Sequence, residues 1–216
     1  LFHLVEILRE VCQTVHYAHT EGFIHRDLKP SNIFVGDFGE VYVIDWGLTK
    51  MLRAEGEEPT AAAQPDAVIG KDVSVTGVET ESLNIAVSSD STVWREGDST
   101  DDLTLEGDVL GTAAYMPPEQ AGGQASAVGK EGDIYALGVI LYEMLTLELP
   151  VMEANFADMI AAKQAGDIPP PEEIAPHRRI PPELSAAAFQ AMDPLPESRY
   201  STARAFSRAL GVWLEG

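Results

Sequence analysis

Three side chains that could act on a phosphate lie in one short loop between two apolar segments. Asp27 can accept a proton, Lys29 can neutralise a phosphate, and Asn32 can bind a metal ion. Phosphoryl transfer needs these abilities close together, because its catalysis is mostly positioning and neutralisation of charge. A lone aspartate in a loop is usually a turn former, and the two neighbours argue against that interpretation here. The loop therefore predicts a phosphoryl-transfer site.

The flanking segments have the patterns needed to hold this loop in place. Residues 1–20 predict an amphipathic helix that ends near Gly22. Two short apolar runs, 33–35 and 41–44, are separated by turn residues and predict a β-hairpin. This hairpin would carry Asn32 and Asp45 on one rigid support. The apolar positions of the helix are Leu1, Leu4, Val5, Leu8, Val11, Cys12, Val15 and Ala18.

The rest of the chain predicts a mainly α fold. Further helices are expected over 133–147, 153–165, 183–192 and 201–214, with the first of them buried on several sides. Pro169–Pro171 and Pro181–Pro182 bracket a predicted loop. No apolar run is long enough to predict a membrane span.

The charge and composition of the chain argue against some classes of binding partner. The net charge is −21, which argues against a nucleic acid or an anionic membrane as the main partner. Residues 51–110 carry −11 of that charge, are rich in Ser, Thr and Gly, and predict a mostly disordered acidic insert. The single Cys12 fits a reducing compartment, and we expect a cytoplasmic location.

Two later motifs extend the pattern of the loop. Asp45-Trp46-Gly47 follows the hairpin, and Gly111-Thr112-Ala113-Ala114-Tyr115-Met116-Pro117-Pro118-Glu119 follows the insert. With His25-Arg26-Asp27-Leu28-Lys29-Pro30-Ser31-Asn32, the chain resembles the protein kinases. Their signature of H-R-D-L-x-x-x-N, D-F-G and A-P-E appears here with one change in each of the last two motifs.

The resemblance implies that residues 1–214 are the C-terminal lobe of an α+β kinase fold, with the acidic insert inside the activation segment. The N-terminal lobe is expected to be absent from this chain, because the sequence has no G-x-G-x-x-G loop and no V-A-I-K strand. A fragment of this kind would be inactive alone.

The resemblance also assigns roles in the reaction. Asp27 matches the catalytic aspartate, which takes the proton of a substrate hydroxyl. Lys29, followed by Pro30, is similar to the serine/threonine kinases, so Ser and Thr hydroxyls of a protein are the expected acceptors. Asn32 and Asp45 match the ligands of Mg²⁺, and ATP would be bound by Lys29, Asn32 and Asp45.

Other positions match structural or regulatory residues of the family. His25 is expected to pack and to bond backbone, and Trp46 replaces the usual Phe behind the metal-binding Asp. Gly47 is expected to permit a sharp backbone turn. The hydroxyl of Thr112 would lie against the catalytic Asp and Lys.

Three further matches concern the support of the lobe. Glu119 is expected to form a buried ion pair with Arg199. Asp133, with Gly138 after it, would hold the catalytic loop through hydrogen bonds to the backbone of that loop. The alternative role of Asp133 is the N-cap of a helix.

Several interpretations remain open at this level. The Y-M-x-P-E-Q run from Tyr115 to Gln120 resembles eukaryotic-like kinases of bacteria. A pseudokinase or scaffold that binds partners without turnover is the main alternative, and the complete set of Asp27, Lys29, Asn32 and Asp45 argues against it. A small-molecule phosphotransferase is a second alternative.

The insert generates one regulatory prediction. Arg26 precedes the catalytic Asp, an arrangement that in the family goes with a phosphorylated activation segment, which a guanidinium can bind through two charge-assisted bonds. Thr100 and Thr104 are the expected acceptors. The active kinase should carry phosphate between residues 91 and 104, and replacing Thr100 and Thr104 with alanine should slow it. Mass spectrometry that finds this stretch unmodified in a fully active enzyme would leave the insert as a surface loop.

Overall fold

Helix α1 (Phe2–Thr20) begins the fold in the computed structural model, which describes residues 1–47, 50–51, 113–123, 128–151 and 155–216. The predicted amphipathic helix is confirmed. Its buried face consists of Val5, Leu8, Val11, Cys12, Val15 and Ala18. Leu1 and Leu4 were expected on that face but are exposed, because the first turn extends past the core. Burial raises the pKa of the Cys12 thiol, which fits a small core residue.

Two small antiparallel sheets follow α1. Strands β2 (Ile33–Val35) and β3 (Val41–Val43) form the predicted hairpin, with Phe34 opposite Tyr42. Strand β1 (Phe23–Ile24) pairs with β4 (Lys50–Met51). The sequence did not predict this second pair, because two-residue strands are too short to show an alternating pattern.

Six more helices are described after the second sheet. They are α2 (Pro118–Ala121), α3 (Lys130–Thr146), α4 (Phe156–Ala165), α5 (Pro171–Ile174), α6 (Pro182–Ala191) and α7 (Ala203–Glu215). The four predicted helices and the mainly α class are confirmed. Within the described ranges, none of the helices is long and apolar enough to cross a membrane.

The predicted loop between Pro169 and Pro182 is wrong in part. It contains α5 and a 3-10 turn at Pro176–Arg178. Pro171 and Pro176 each occupy the first position of their helical turn, where the missing N–H costs nothing and the fixed φ suits a helix. The prolines in this region therefore begin short helices, whereas the sequence predicted a loop from them.

Helix α3 is the centre of the core. Every residue from Gly132 to Tyr142 is buried, which confirms the expected burial on several sides. Helix α6 packs against α3, while α1 packs mainly against α7. Helices α3 and α6 approach closely at Gly138, where an added Cβ would lie 2.7 Å from the Cβ of Ala191 and 2.9 Å from Cγ of Met192.

A buried ion pair joins two segments of the fold, helix α2 and the segment that precedes α7. The Arg199 guanidinium binds both carboxylate oxygens of Glu119, at 2.8 and 2.9 Å, so α2 is joined to the segment before α7. The side chain of Arg199 is fully buried, while that of Glu119 is 15% exposed. Arg199 also donates to the carbonyl oxygens of Asp193, Glu131 and Pro194. All the donor nitrogens of this buried guanidinium are therefore used.

The contact at Gly138 predicts a contrast between two glycines in helices. Gly138→Ala should lower the free energy of unfolding by about 1–3 kcal/mol, because the added methyl overpacks the α3–α6 contact. Gly211→Ala in α7 is the control, since its nearest neighbour would be Cδ of Arg9 at 3.9 Å. The free energy of unfolding of Gly211→Ala should rise by roughly 0.5–1 kcal/mol, because alanine has a higher helix propensity than glycine. Equal denaturation midpoints for the two variants would contradict the close approach.

The ion pair predicts a second effect on stability. Arg199→Ala should cost about 3–5 kcal/mol, because it leaves the partly buried Glu119 carboxylate and three carbonyl oxygens without their donor. Arg208→Ala removes an exposed guanidinium from α7 and should change stability by less than about 0.5 kcal/mol. Thermal unfolding of both variants measures this, and a melting temperature of Arg199→Ala close to that of the parent would count against the pair.

Candidate active site

The loop that contains Asp27 is fixed by the carboxylate of Asp133 on α3. Asp133 is buried and accepts hydrogen bonds from the backbone N–H groups of His25 and Arg26, at 2.9 and 2.8 Å. The ring of His19 on α1 donates to the same carboxylate at 2.8 Å. These bonds hold Arg26 at a φ of 71°, a left-handed conformation that a residue of this kind adopts only when its surroundings impose it.

Two donors converge on the carboxylate of Asp27. The Lys29 ammonium lies 2.9 Å from Asp27 Oδ2, and the Asn32 amide nitrogen lies 3.3 Å from the same oxygen. Asn32 also donates to the backbone carbonyl of Asp27 at 2.8 Å. The two contacts to Oδ2 fix the orientation of the carboxylate. Its other oxygen, Oδ1, takes no part in these contacts and can accept a proton.

His25 connects this loop to the strand before Asp45. Its ring is buried, with Nε2 donating to the Ile44 carbonyl at 2.9 Å and Nδ1 accepting from the Asp27 N–H at 3.3 Å. The two bonds together require the neutral ring with the proton on Nε2. The ring of Trp46 packs against it, with centroids 4.5 Å apart. His25 therefore positions Asp27 and Asp45 relative to each other.

Asp45 lies exposed at the end of the hairpin, with a φ of 60°. Its Oδ1 accepts from the Gly47 N–H at 3.4 Å, and the Trp46 indole donates to the Val43 carbonyl at 3.0 Å. Gly47 lies in a turn, and the residue of this segment with a left-handed backbone is Asp45, so the expected role of Gly47 stays a prediction. A Cβ at position 47 would lie 3.1 Å from Asp45 Oδ1, so a larger residue there would require a small shift of the exposed Asp45 side chain.

The oxygen donors of this site suit a magnesium ion. The amide nitrogen of Asn32 is used by Asp27, which leaves its Oδ1 to bind a cation, and Asp45 adds an exposed carboxylate. Mg²⁺ typically takes one or two protein oxygens and completes its shell with water and phosphate. Across the residues that the structure describes, no group of three or more His, Cys, Asp or Glu side chains gathers as a metal site.

The segment Ala113–Gln120 lies beside this loop. The Gln120 amide donates to the Arg26 carbonyl at 3.2 Å, and the next residue back is Glu119, paired with Arg199 as described above. Three predicted residues of this region, Thr100, Thr104 and Thr112, lie outside the described residues, as do residues 52–110 of the predicted insert. Their roles stay predictions.

Two residues of this region were missed by the sequence analysis. His19 was placed only on the helix, although it bonds Asp133, and nothing in the local pattern indicates that contact. Lys163 on α4 is buried among carbonyl oxygens. The one signal in the sequence is that Lys163 follows the buried Met159 by four residues and therefore shares its helix face.

Comparisons with known proteins agree with this geometry. The family model of the protein kinase domain matches residues 2–68 and 95–210. A protein named serine/threonine-protein kinase PknD from Chlamydia felis is 35% identical over 212 residues, which are 98% of this chain and 19% of the relative. The proteins of the same name from Protochlamydia amoebophila and Chlamydia caviae are 32% and 36% identical, over 99% and 98% of this chain and 18% and 19% of their own lengths.

The chain thus spans about a fifth of the length of the curated relatives it matches. Residues 69–94, which the family model leaves unmatched, fall within the predicted insert. The match of the model to most of the chain, together with the loop, hairpin and buried ion pair, establishes the family: this chain belongs to the protein kinases.

Proposed function

We propose that the protein containing this chain transfers the γ-phosphoryl group of Mg-ATP to Ser or Thr hydroxyls of another protein. The observation that carries the proposal is the convergence of Lys29 and Asn32 on one oxygen of the Asp27 carboxylate. A carboxylate held in this way can orient a hydroxyl and receive its proton. The printed names of the chlamydial relatives support serine and threonine as the acceptors.

The proposed step uses Asp27 as the base. The substrate hydroxyl oxygen bonds to the γ-phosphorus while the bond to the bridging oxygen of ADP breaks, and the hydroxyl proton passes to the Asp27 carboxylate. Lys29 stabilises the negative charge that spreads over the transferred group, because its ammonium is already held at the site of reaction. A positioned base of this kind contributes on the order of 10²–10⁴ in rate.

Asn32 and Asp45 are the residues that would hold Mg²⁺. A magnesium ion there would neutralise the charge of the phosphates. The two ligands flank the open end of the antiparallel β2–β3 hairpin, where the Ile44 N–H donates to the Asn32 carbonyl at 2.9 Å. His25 adds a second link through its bond to Ile44, so the distance between the ligands depends on two contacts of short range.

The hairpin also offers a surface for the base of the nucleotide. Phe34 and Tyr42 are cross-strand partners and are 54% and 48% exposed, while Ile33, Val41 and Val43 pack against the core. The exposed side of the hairpin is therefore apolar and aromatic, and it begins two residues after Asn32. Planar rings of this kind suit stacking with a heterocyclic base.

The division of roles predicts different defects for two aspartates in the complete protein. Asp27→Asn should lower kcat by a factor on the order of 10²–10⁴ with nearly unchanged nucleotide affinity, because Asp27 acts on the acceptor hydroxyl. Asp45→Asn should instead weaken magnesium-dependent nucleotide binding, because it removes a charged metal ligand. Calorimetric titration with Mg-ATP and single-turnover transfer to a basic protein measure the two properties.

Two comparisons keep this test informative. Residues 1–216 expressed alone serve as the negative control and should show no transfer, because the motifs that hold the rest of ATP are not in this sequence. Equal losses of nucleotide affinity in both variants would refute the division of roles. A complete protein that binds Mg-ATP without any transfer would favour the pseudokinase alternative.

A further inference from the structure

Lys163 of α4 places a charged group inside the protein, where no carboxylate of the described residues pairs with it. Its side chain is fully buried, and among the described residues it forms no ion pair. The ammonium instead donates to three backbone carbonyls, those of Ala113 at 2.8 Å, Ala114 at 2.6 Å and Met116 at 2.7 Å. All three belong to one short segment, so Lys163 fixes that segment along most of its length.

The surroundings indicate which form of Lys163 makes these bonds. Burial lowers the pKa of the ammonium to about 7, so the charge is costly at this site. Only the protonated amine has three N–H groups, one for each carbonyl, and the neutral form would leave one oxygen without its donor. The three short bonds are therefore those of an ammonium ion.

Lys163 and a second buried cation lie near the same aromatic ring. Lys163 Nζ lies 5.5 Å from the centroid of the Tyr135 ring, and the Arg199 guanidinium lies 5.0 Å from the same centroid. Glu119 neutralises Arg199. The stretch from Ala113 to Glu119 is thus fixed at its start by one buried cation and at its end by another.

This stretch lies next to the proposed base. One small cavity is lined by the catalytic loop, by Tyr115, Met116 and Pro117, and by Gly132, Asp133 and Ala136 of α3. The residues of the loop that line it are Arg26, Asp27 and Leu28. A hydroxyl that gives its proton to Asp27 must enter beside the loop. Tyr115 and Met116 are half-buried and can contact the residues that flank this hydroxyl, whereas Ala113 and Ala114 are buried beneath them.

We propose that Lys163 is a positioning residue for protein substrates: it holds the backbone of Ala113–Met116 and so places Tyr115 and Met116 beside Asp27, where these two residues support the acceptor segment. The inference rests on the proposed function, since it assigns the surface on which the acceptor lies. It involves no contact of Lys163 with the acceptor or with ATP. The expected signature is therefore a loss of recognition of the acceptor with intact recognition of the nucleotide.

The test compares Lys163→Met with Met159→Ala in the complete protein. Methionine keeps the length of the lysine side chain but has no donor, whereas Met159→Ala disturbs a buried apolar residue of the same helix. With a synthetic basic peptide containing one serine, Lys163→Met should raise the KM for the peptide about tenfold, while the KM for ATP stays within about twofold. Met159→Ala should leave both KM values within about twofold of the parent.

Two outcomes of these kinetic measurements would contradict the proposal. An unchanged KM for the peptide in Lys163→Met, or the same increase in Met159→Ala, would overturn the positioning role, because general loosening of α4 would then suffice. If the parent enzyme transfers no phosphate, the proposed function fails.

Hydrogen exchange tests the contact itself, whether or not the enzyme is active. Amides of residues 113–116 should exchange faster in Lys163→Met than in the parent, with amides of α3 unchanged. Equal exchange of residues 113–116 in the two proteins would overturn the proposal, since the segment would then be held without Lys163.

Discussion

The carboxylate of Asp133 is the interaction on which the candidate site depends. It projects from α3, the most buried helix, and its two oxygens accept from the backbone of His25 and Arg26 and from the ring of His19. A buried carboxylate is costly unless its oxygens are bonded, and here the bonding partners belong to the loop that must be positioned. The requirement to satisfy one charge therefore fixes the conformation of the loop, including the positive φ of Arg26.

Four stretches of the chain meet around that support, and polar contacts join them in turn. His25 joins the loop to the end of β3, Gln120 joins it to the segment before α3, and Lys163 joins that segment to α4. Most of these bonds end on backbone carbonyls. These contacts thus hold the main-chain geometry, and the side chains proposed to react extend from a backbone that is already fixed.

Much of this arrangement could be predicted from the sequence, because long periodic helices and spaced motifs carry strong signals. Helices α1 and α3, the β2–β3 hairpin and the pairing of Glu119 with Arg199 belong to that class. The β1–β4 pair could not be predicted, since two residues show no period. Lys163 was missed because a single lysine in a helix normally lies in water, and its burial depends on carbonyls that lie about 50 residues earlier in the chain.

The left-handed backbone of Asp45 has a consequence for how this fold can lose its chemistry. Only glycine, asparagine and aspartate accept a φ near 60° at little cost, and two of these three cannot supply a carboxylate. The substitutions that the backbone tolerates best are therefore the ones that abolish the charge. Selection for stability alone would not protect the proposed metal ligand, and a single exchange could leave a well-folded lobe without it.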